Sequence, residues 1–346
     1  METLWLTIVA FMLAMYVVLD GFDLGAGIIH LFVAKKDEER RVILNSIGPV
    51  WDGNEVWLLA AGGTLYFAFP KLYAASFSGF YLPLIMVLWF FMFRALGIEL
   101  RHHVESDLWK KFWDASFSIS SMLLAIFFGA ALGNVIRGVP INETGTFFLP
   151  LWTDFFTTPT QGILDWYTVL FGLLSFSILT LHGANFISLK TTGELQTKTR
   201  KAGTIFWWIV LFLSIFSIYF TFEIKNNLFN DLKGNLVVEI LYSIAIVSLG
   251  LIKIFQFKEK DLAAFISSSI YIFSMLLVTA FGLYPVVLPS TIDKKFSLTI
   301  FNTATSNYGL SIGIVWWIFG IILCAIYFVF LFYRVKGKTI LSDDGY

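Results

Sequence analysis

Four carboxylates lie in stretches where an apolar chain has little use for charge. Asp20 and Asp23 stand three residues apart inside an apolar run, and Asp52 and Glu55 repeat that spacing inside the next one. Residues three apart share a helix face, so each pair presents two carboxyls together. A charge at the centre of a bilayer costs about +2.5 to +3.5 kcal/mol on insertion scales, so such groups need a reason to be there. Carboxyls packed this closely cannot all ionise cheaply, and groups that exchange protons near neutrality can pass them on. The pattern therefore suggests a proton relay, or a half-channel open on one side. The structural alternative is that the carboxyls cap or bridge helices through Asn54, Trp51, Trp57 and backbone amides. At about 1.5 Å of rise per residue, Asp23 lies about 15 Å and Asp20 about 20 Å back from Val33. Counted forward from Ile47, Asp52 and Glu55 lie about 8 and 12 Å in. All four fall at or below the midplane on the same side, and adjacent antiparallel helices would bring the two pairs near each other.

The other chemically capable residues suggest less. Histidine is scarce: His102 and His103 sit in a charged loop, His30 lies near the end of the first run, and only His182 is deep. One deep histidine offers no bis-histidine haem site, so His182 is expected to make a polar contact or join an interface. The single cysteine, Cys324, excludes an intrachain disulfide and a cysteine-based metal site. No catalytic residue and no metal site is expected in this chain. The glycine pairs Gly21 and Gly25, Gly129 and Gly133, and Gly309 and Gly313 have the spacing that lets helices approach closely. A dinucleotide-loop reading of these glycines fails, because no strand precedes them. Trp51, Trp57, Trp207 and Trp208 read first as interfacial anchors; Trp51 and Trp57 are also candidates for stacking on a quinone headgroup.

The elements that must carry these groups are membrane helices. Of 346 residues, 58% are hydrophobic and 14% charged, against roughly 25% charged in soluble proteins. Zero formal net charge gives no argument for a nucleic-acid partner. Apolar blocks long enough to span a bilayer fall at about 5–33, 47–69, 73–98, 115–136, 163–187, 203–222, 236–255, 262–284 and 309–333. They read as one polytopic domain over residues 1–346, with loops near 137–162 and 285–308. No basic residue precedes the first run, so it reads as a retained span and not a cleaved signal. Eighteen Lys and Arg fall in one set of alternating segments and six in the other. Positive charge resists translocation, so this places the N-terminus outside and the C-terminus in the cytoplasm.

The carboxylates also carry a resemblance. Asp20-Gly21-Phe22-Asp23-Leu24-Gly25, followed by Pro49-Val50-Trp51-Asp52-Gly53-Asn54-Glu55-Val56-Trp57-Leu58-Leu59, resembles the signature of cytochrome bd-type quinol oxidase subunit II, a group that includes the cyanide-insensitive oxidases. Similarity continues through Ala75–Tyr81, Phe93-Arg94, Glu99–Arg101, Gly133-Asn134, Arg137–Pro140, His182–Ala184, Leu189–Leu195, Tyr284-Pro285 and Leu288–Ser290. Further matches are Leu298–Ile300 and Ala304–Ser306. The segment from Asn302 to Gly309 fits the family less closely.

The resemblance implies an all-α membrane fold of two four-helix bundles plus a peripheral helix. It also implies a non-haem subunit of a bacterial inner-membrane oxidase that couples quinol oxidation to reduction of dioxygen to water. Haem b and haem d are then expected in subunit I, the partner. Small accessory membrane subunits and a structural quinone are compatible with the family. Subunit II would stabilise the haem-bearing subunit and line a cytoplasmic proton path through Asp52 and Glu55, with Asp20 and Asp23. The competing reading is a proton-coupled secondary transporter, which also uses midplane carboxylates and glycine-broken helices.

Overall fold

The computed structural model describes residues 1–157, 162–225 and 234–339. The chain runs through α1 (Glu2–Val33), α2 (Asp37–Ile47), α3 (Trp51–Ala68), α4 (Pro70–Gly79), α5 (Tyr81–Leu100), α6 (Asp107–Arg137) and α7 (Trp166–Lys190). It continues with α8 (Gly193–Ile224), α9 (Leu236–Phe257) and α10 (Asp261–Leu283). A short antiparallel hairpin follows, β1 (Val286–Leu288) and β2 (Leu298–Thr299), enclosing a 3-10 turn at Lys294–Phe296. The one-turn helix α11 (Ile300–Thr303) and the long α12 (Asn307–Arg334) complete it.

Among the described residues eight helices are long and apolar enough to cross a membrane: α1, α5 to α10 and α12. The fold is therefore all-α and membrane-embedded. The second of the nine apolar runs, α3, misses that standard because Asp52, Asn54 and Glu55 crowd its N-terminal turns.

Two expected boundaries move. The second run does not start at residue 47. Gly48 and Pro49 interrupt the helix there, and α3 begins at Trp51. Ahead of the break, α2 buries Ile43, Leu44 and Ile47 on one side and carries Asp37, Glu38, Arg40 and Arg41 along its length, the pattern of an interfacial helix. The third run does not start at residue 73. It divides into α4, too short to span, and α5. Pro83 has no N–H to give the carbonyl of Gly79 and cannot continue a helix from it. That carbonyl instead accepts a bond from Leu149 N–H at 3.2 Å. Nor is the 285–308 segment plain loop, since it holds the hairpin and α11.

The central element is α1. It packs against α3, α6, α7 and α10, and at Gly25 it meets Gly183 of α7 backbone to backbone. A Cβ on Gly25 would overlap the Leu179 carbonyl oxygen and lie 2.7 Å from Gly183 Cα. On Gly21 a Cβ would sit 2.9 Å from Leu179 Cδ2. Gly129 of α6 meets Phe171 and Gly172 of α7 in the same way, and Gly133 stacks on Thr168 and Phe171. On α12, Gly313 takes the Phe67 ring, whereas Gly309 is in ordinary contact with Ser306. Otherwise α12 is peripheral: the central stretch that would cross the membrane has no buried residue.

The basic connections meet at one end of the molecule. Arg101 joins Asp37, Lys198 joins Glu39, and Arg200 joins Glu259 and Asp261. Lys190 holds the Val335 carbonyl, and Lys338 returns a bond to the Thr191 carbonyl at 2.8 Å. Arg94, which the charge count assigned to this end, is instead inside the bundle.

Candidate functional site

The two carboxyls of α1 have different partners. Both are fully buried. Asp20 is gripped by Arg94 of α5: Nη1 donates to Oδ2 at 3.0 Å, and Nη2 donates to Oδ1. This two-pronged geometry is the strong form of the guanidinium–carboxylate contact. Asp23 has no cation. Its Oδ2 accepts from Asn54 Nδ2 at 2.8 Å, and the same amide nitrogen also donates to the Leu19 carbonyl at 3.3 Å. Asn54 comes from the first turn of α3, so this contact fastens α3 to the middle of α1.

The two acidic residues of α3 lie outside that core. Glu55 is half-buried, and its charge interacts with those of Arg94, Asp20 and Asp52. Asp52 is exposed, and its Oδ1 accepts from the Gly53 N–H at 2.7 Å. At the second residue of α3 it sits at the positive end of the helix dipole. Since the helix starts at Trp51, Asp52 stands at its mouth and not a turn and a half inside. The structure thus brings Asp20, Asp23 and Glu55 together around Arg94 and Asn54, with Asp52 on the open side. Among the described residues, Asp23 Oδ1, Asn54 Oδ1 and Arg94 Nε are buried without a hydrogen-bond partner.

Arg94 is what sequence reasoning missed. The charge count places it with the loop cations, but it lies six residues inside the end of α5. Its depth could have signalled a buried counter-ion for the α1 carboxylates. A second cluster has no signature in the spacing of any one helix. Asp114 of α6 accepts from His30 Nε2 at 2.7 Å, Arg40 Nη1 at 3.0 Å and Arg101 Nε at 2.6 Å. Arg101 also binds Asp37 at 2.6 Å, so one carboxylate ties α1, α2, α5 and α6 together at their shared end.

His182, Trp57 and Trp207 are held by packing contacts. His182 Nε2 faces the Val18 carbonyl at 2.9 Å, Nδ1 faces Ser268 Oγ at 2.7 Å, and the ring stacks on Phe265. Both nitrogens are engaged, so the residue does not fit a haem ligand. Trp57 and Trp207 are core residues and not interfacial anchors: Trp57 lies against Phe11 and Phe328, and Trp207 donates to the Leu249 carbonyl at 2.8 Å. Trp51 is half-buried and Trp208 exposed. No group of three or more His, Cys, Asp or Glu among the described residues could hold a metal ion.

The family profile for cytochrome bd terminal oxidase subunit II matches residues 1–335. The chain is 29% identical to cytochrome bd-I ubiquinol oxidase subunit 2 of Escherichia coli K12, over 98% of this chain and 95% of that protein. It is also 29% identical to cytochrome bd ubiquinol oxidase subunit 2 of Bacillus subtilis, over 90% and 89%. Among solved structures, a chain of the bd oxidase from Geobacillus thermodenitrificans has the same fold, with a TM-score of 0.71, 17% identity and coverage of 97% and 99%. A profile that spans nearly the whole chain replaces the transporter reading. The chain belongs to the cytochrome bd terminal oxidase subunit II family, and is a subunit of a membrane oxidoreductase.

Proposed function

We propose that this chain is the non-haem subunit that stabilises a haem-bearing subunit I and feeds it protons from the cytoplasm through Asp52, Glu55 and Asp23, beside the Asp20–Arg94 ion pair. The observation that carries the reading is the gradient of burial, from exposed Asp52 through half-buried Glu55 to fully buried Asp23, converging on polar atoms that lack protein partners. Buried groups of this kind are commonly satisfied by internal water, which can hand protons between carboxyls. Reducing dioxygen to water consumes protons, and drawing them from the cytoplasm makes the reaction electrogenic.

The partner would sit on α3 and α12. Val56, Leu59 and Tyr66 are exposed on α3, and α12 has no fully buried residue along its central stretch. A Cβ on Gly62 or Gly63 would meet nothing within 4 Å. Asp52, at the end of α3, would stay open to water at the edge of that contact. Haem b and haem d belong to that partner in this reading, as His182 is committed to other contacts. The complex lies in the bacterial inner membrane, with the ion-paired, basic end of this chain in the cytoplasm and its N-terminus outside.

Replacing Asp52 with Asn tests the path. In membranes containing both subunits, quinol-dependent oxygen uptake should slow while the haem absorption spectrum is kept. Unchanged uptake would remove Asp52 from the path, and loss of the haems would make the residue structural.

A further inference from the structure

We infer that Arg94 and Asn54 sort the two α1 carboxyls, Arg94 occupying both oxygens of Asp20 and Asn54 leaving Oδ1 of Asp23 as the position that takes the proton. This rests on the proton-path reading and gives its inner end an order. Four carboxyls in one cluster would otherwise be interchangeable carriers.

Asp20 is closed to the task by its geometry. Both of its oxygens receive guanidinium N–H bonds from Arg94, and arginine stays charged in proteins. The pair is neutral as it stands, with no exposure of either side chain above 1%. Protonating Asp20 would break a two-pronged contact and leave a buried cation alone. Removing one partner of such a pair is strongly unfavourable.

Asp23 has the opposite surroundings. An amide donor supplies a hydrogen bond but no charge. Asn54 Nδ2 is fully committed, one hydrogen to Asp23 Oδ2 and one to the Leu19 carbonyl. The amide therefore cannot rotate freely, and it holds Asp23 with Oδ1 turned away. Oδ1 is buried and has no partner among the described residues, so it is the position where a proton can bind. The charges that act on Asp23 are those of Asp20, Arg94 and Glu55, and Arg94 is already spent on Asp20. Binding a proton at Oδ1 is thus what neutralises this carboxyl.

The sequence of transfers follows. Protonated Asp52 gives its proton to the Glu55 carboxylate, directly or through water, and returns to carboxylate. Glu55 then gives the proton to Asp23 Oδ1 and returns to carboxylate, Asp23 releases it through internal water toward the haem-bearing subunit and returns to carboxylate, and Asp52 is reprotonated from the aqueous phase. Each step moves one proton and no electron. Asn54 and Arg94 touch no reacting atom and are positioning residues.

The test uses membranes holding the intact two-subunit complex. Asp23→Asn should lower oxygen uptake about tenfold or more, a loss in keeping with removal of a positioned proton carrier. It should also remove a protonated-carboxyl band from the infrared difference spectrum. The double variant Asp20→Asn with Arg94→Gln removes a neutral pair together, and should keep both uptake and band. Asn54→Leu should shift the pH profile of uptake, which a purely structural residue would leave in place.

Should the double variant fail to assemble, Arg94→Lys keeps the charge and should support near-normal uptake, while Asp23→Glu should shift the band in frequency. The inference is overturned if the double variant, or Arg94→Lys, loses uptake as Asp23→Asn does with its haem spectrum intact. A band that ignores both Asp23 variants would also overturn it. If Asp52→Asn slows uptake and Asp23→Asn does not, the sorting fails and the path survives. If neither slows uptake, the path itself fails.

Discussion

A single methyl group at Gly25 tests whether the α1–α7 contact sets the spacing of the bundle. Alanine is the better helix former by about 1 kcal/mol, so Gly25→Ala would be stabilising at an open site. Here the new Cβ would overlap the Leu179 carbonyl oxygen and lie 2.7 Å from both Gly183 N and Gly183 Cα. All three are backbone atoms, which cannot swing aside as a side-chain end can. Overpacking costs about 1–3 kcal/mol, and unyielding neighbours put this site at the upper end. The balance is a net loss of about 2 kcal/mol, or about thirtyfold in an equilibrium constant. Gly250 of α9 supplies the control, because a Cβ there meets nothing within 4 Å. The assay is the lifetime of the detergent-solubilised complex at a fixed elevated temperature, since membrane assemblies of this kind unfold irreversibly. Gly25→Ala should shorten that lifetime and Gly250→Ala should not. Gly183→Ala attacks the same contact from α7, so the two substitutions should combine non-additively. A Gly25→Ala complex as durable as the unaltered one would refute the argument.

The ion pairs at the basic end of the molecule give two more expectations. Asp114→Asn leaves Arg101, Arg40 and His30 around an uncharged amide, and breaking a buried pair in this way costs about 3–5 kcal/mol; amide hydrogen exchange should accelerate at the joined ends of α1, α2, α5 and α6. Glu39 is partly buried, which raises its pKa, but hydrogen bonds from Lys198 and from the Lys36 and Lys35 N–H groups outweigh this, and the carboxyl titrates below its ordinary 4.5. A folded value below the unfolded one means the stabilisation is present above pH 4.5 and is lost as pH falls through the folded value. Exchange in α2 should therefore rise on acidification through that range, and Glu39→Gln should show fast exchange at neutral pH with no such step.

How far the sequence could be read depended on where each charge sat. Membrane class, helix type and the site carboxylates came from apolar run length and from acids placed inside those runs, which are local signals. The third run reads as one span because α4 and α5 are both apolar, and nothing in hydropathy separates them. The break was nonetheless written in Pro83, whose missing N–H releases the Gly79 carbonyl to Leu149, a partner far along the chain. Arg94 was misplaced for a related reason. A charge count treats every Lys and Arg as a vote for one side of the membrane, whereas this one is neutralised by Asp20, 74 residues earlier. The Asp114 cluster joins four elements, and no spacing rule within one helix reaches it. The tryptophans went the other way: Trp57 and Trp207 have the composition of interfacial anchors, and only their neighbours make them core.

The shortfall of α3 connects the fold to the function. A helix of 18 residues is about 27 Å long, slightly less than the roughly 30 Å of a hydrocarbon core, and it carries Asp52, Asn54 and Glu55 near one end. As an isolated span it would be poor. Within the chain, one polar group is repaired by α1, as Asn54 spends both amide hydrogens there. Glu55 is half-covered beside Arg94, and Asp52 remains open. What α1 leaves unsatisfied lies on the side where Gly62 and Gly63 have no neighbour within 4 Å. The residues that make α3 a weak membrane helix are thus the same ones that make it useful in a complex. In the proposed path Asp52 takes protons from water at the mouth of α3, and Asn54 ties that mouth to the buried Asp23 carboxyl of α1.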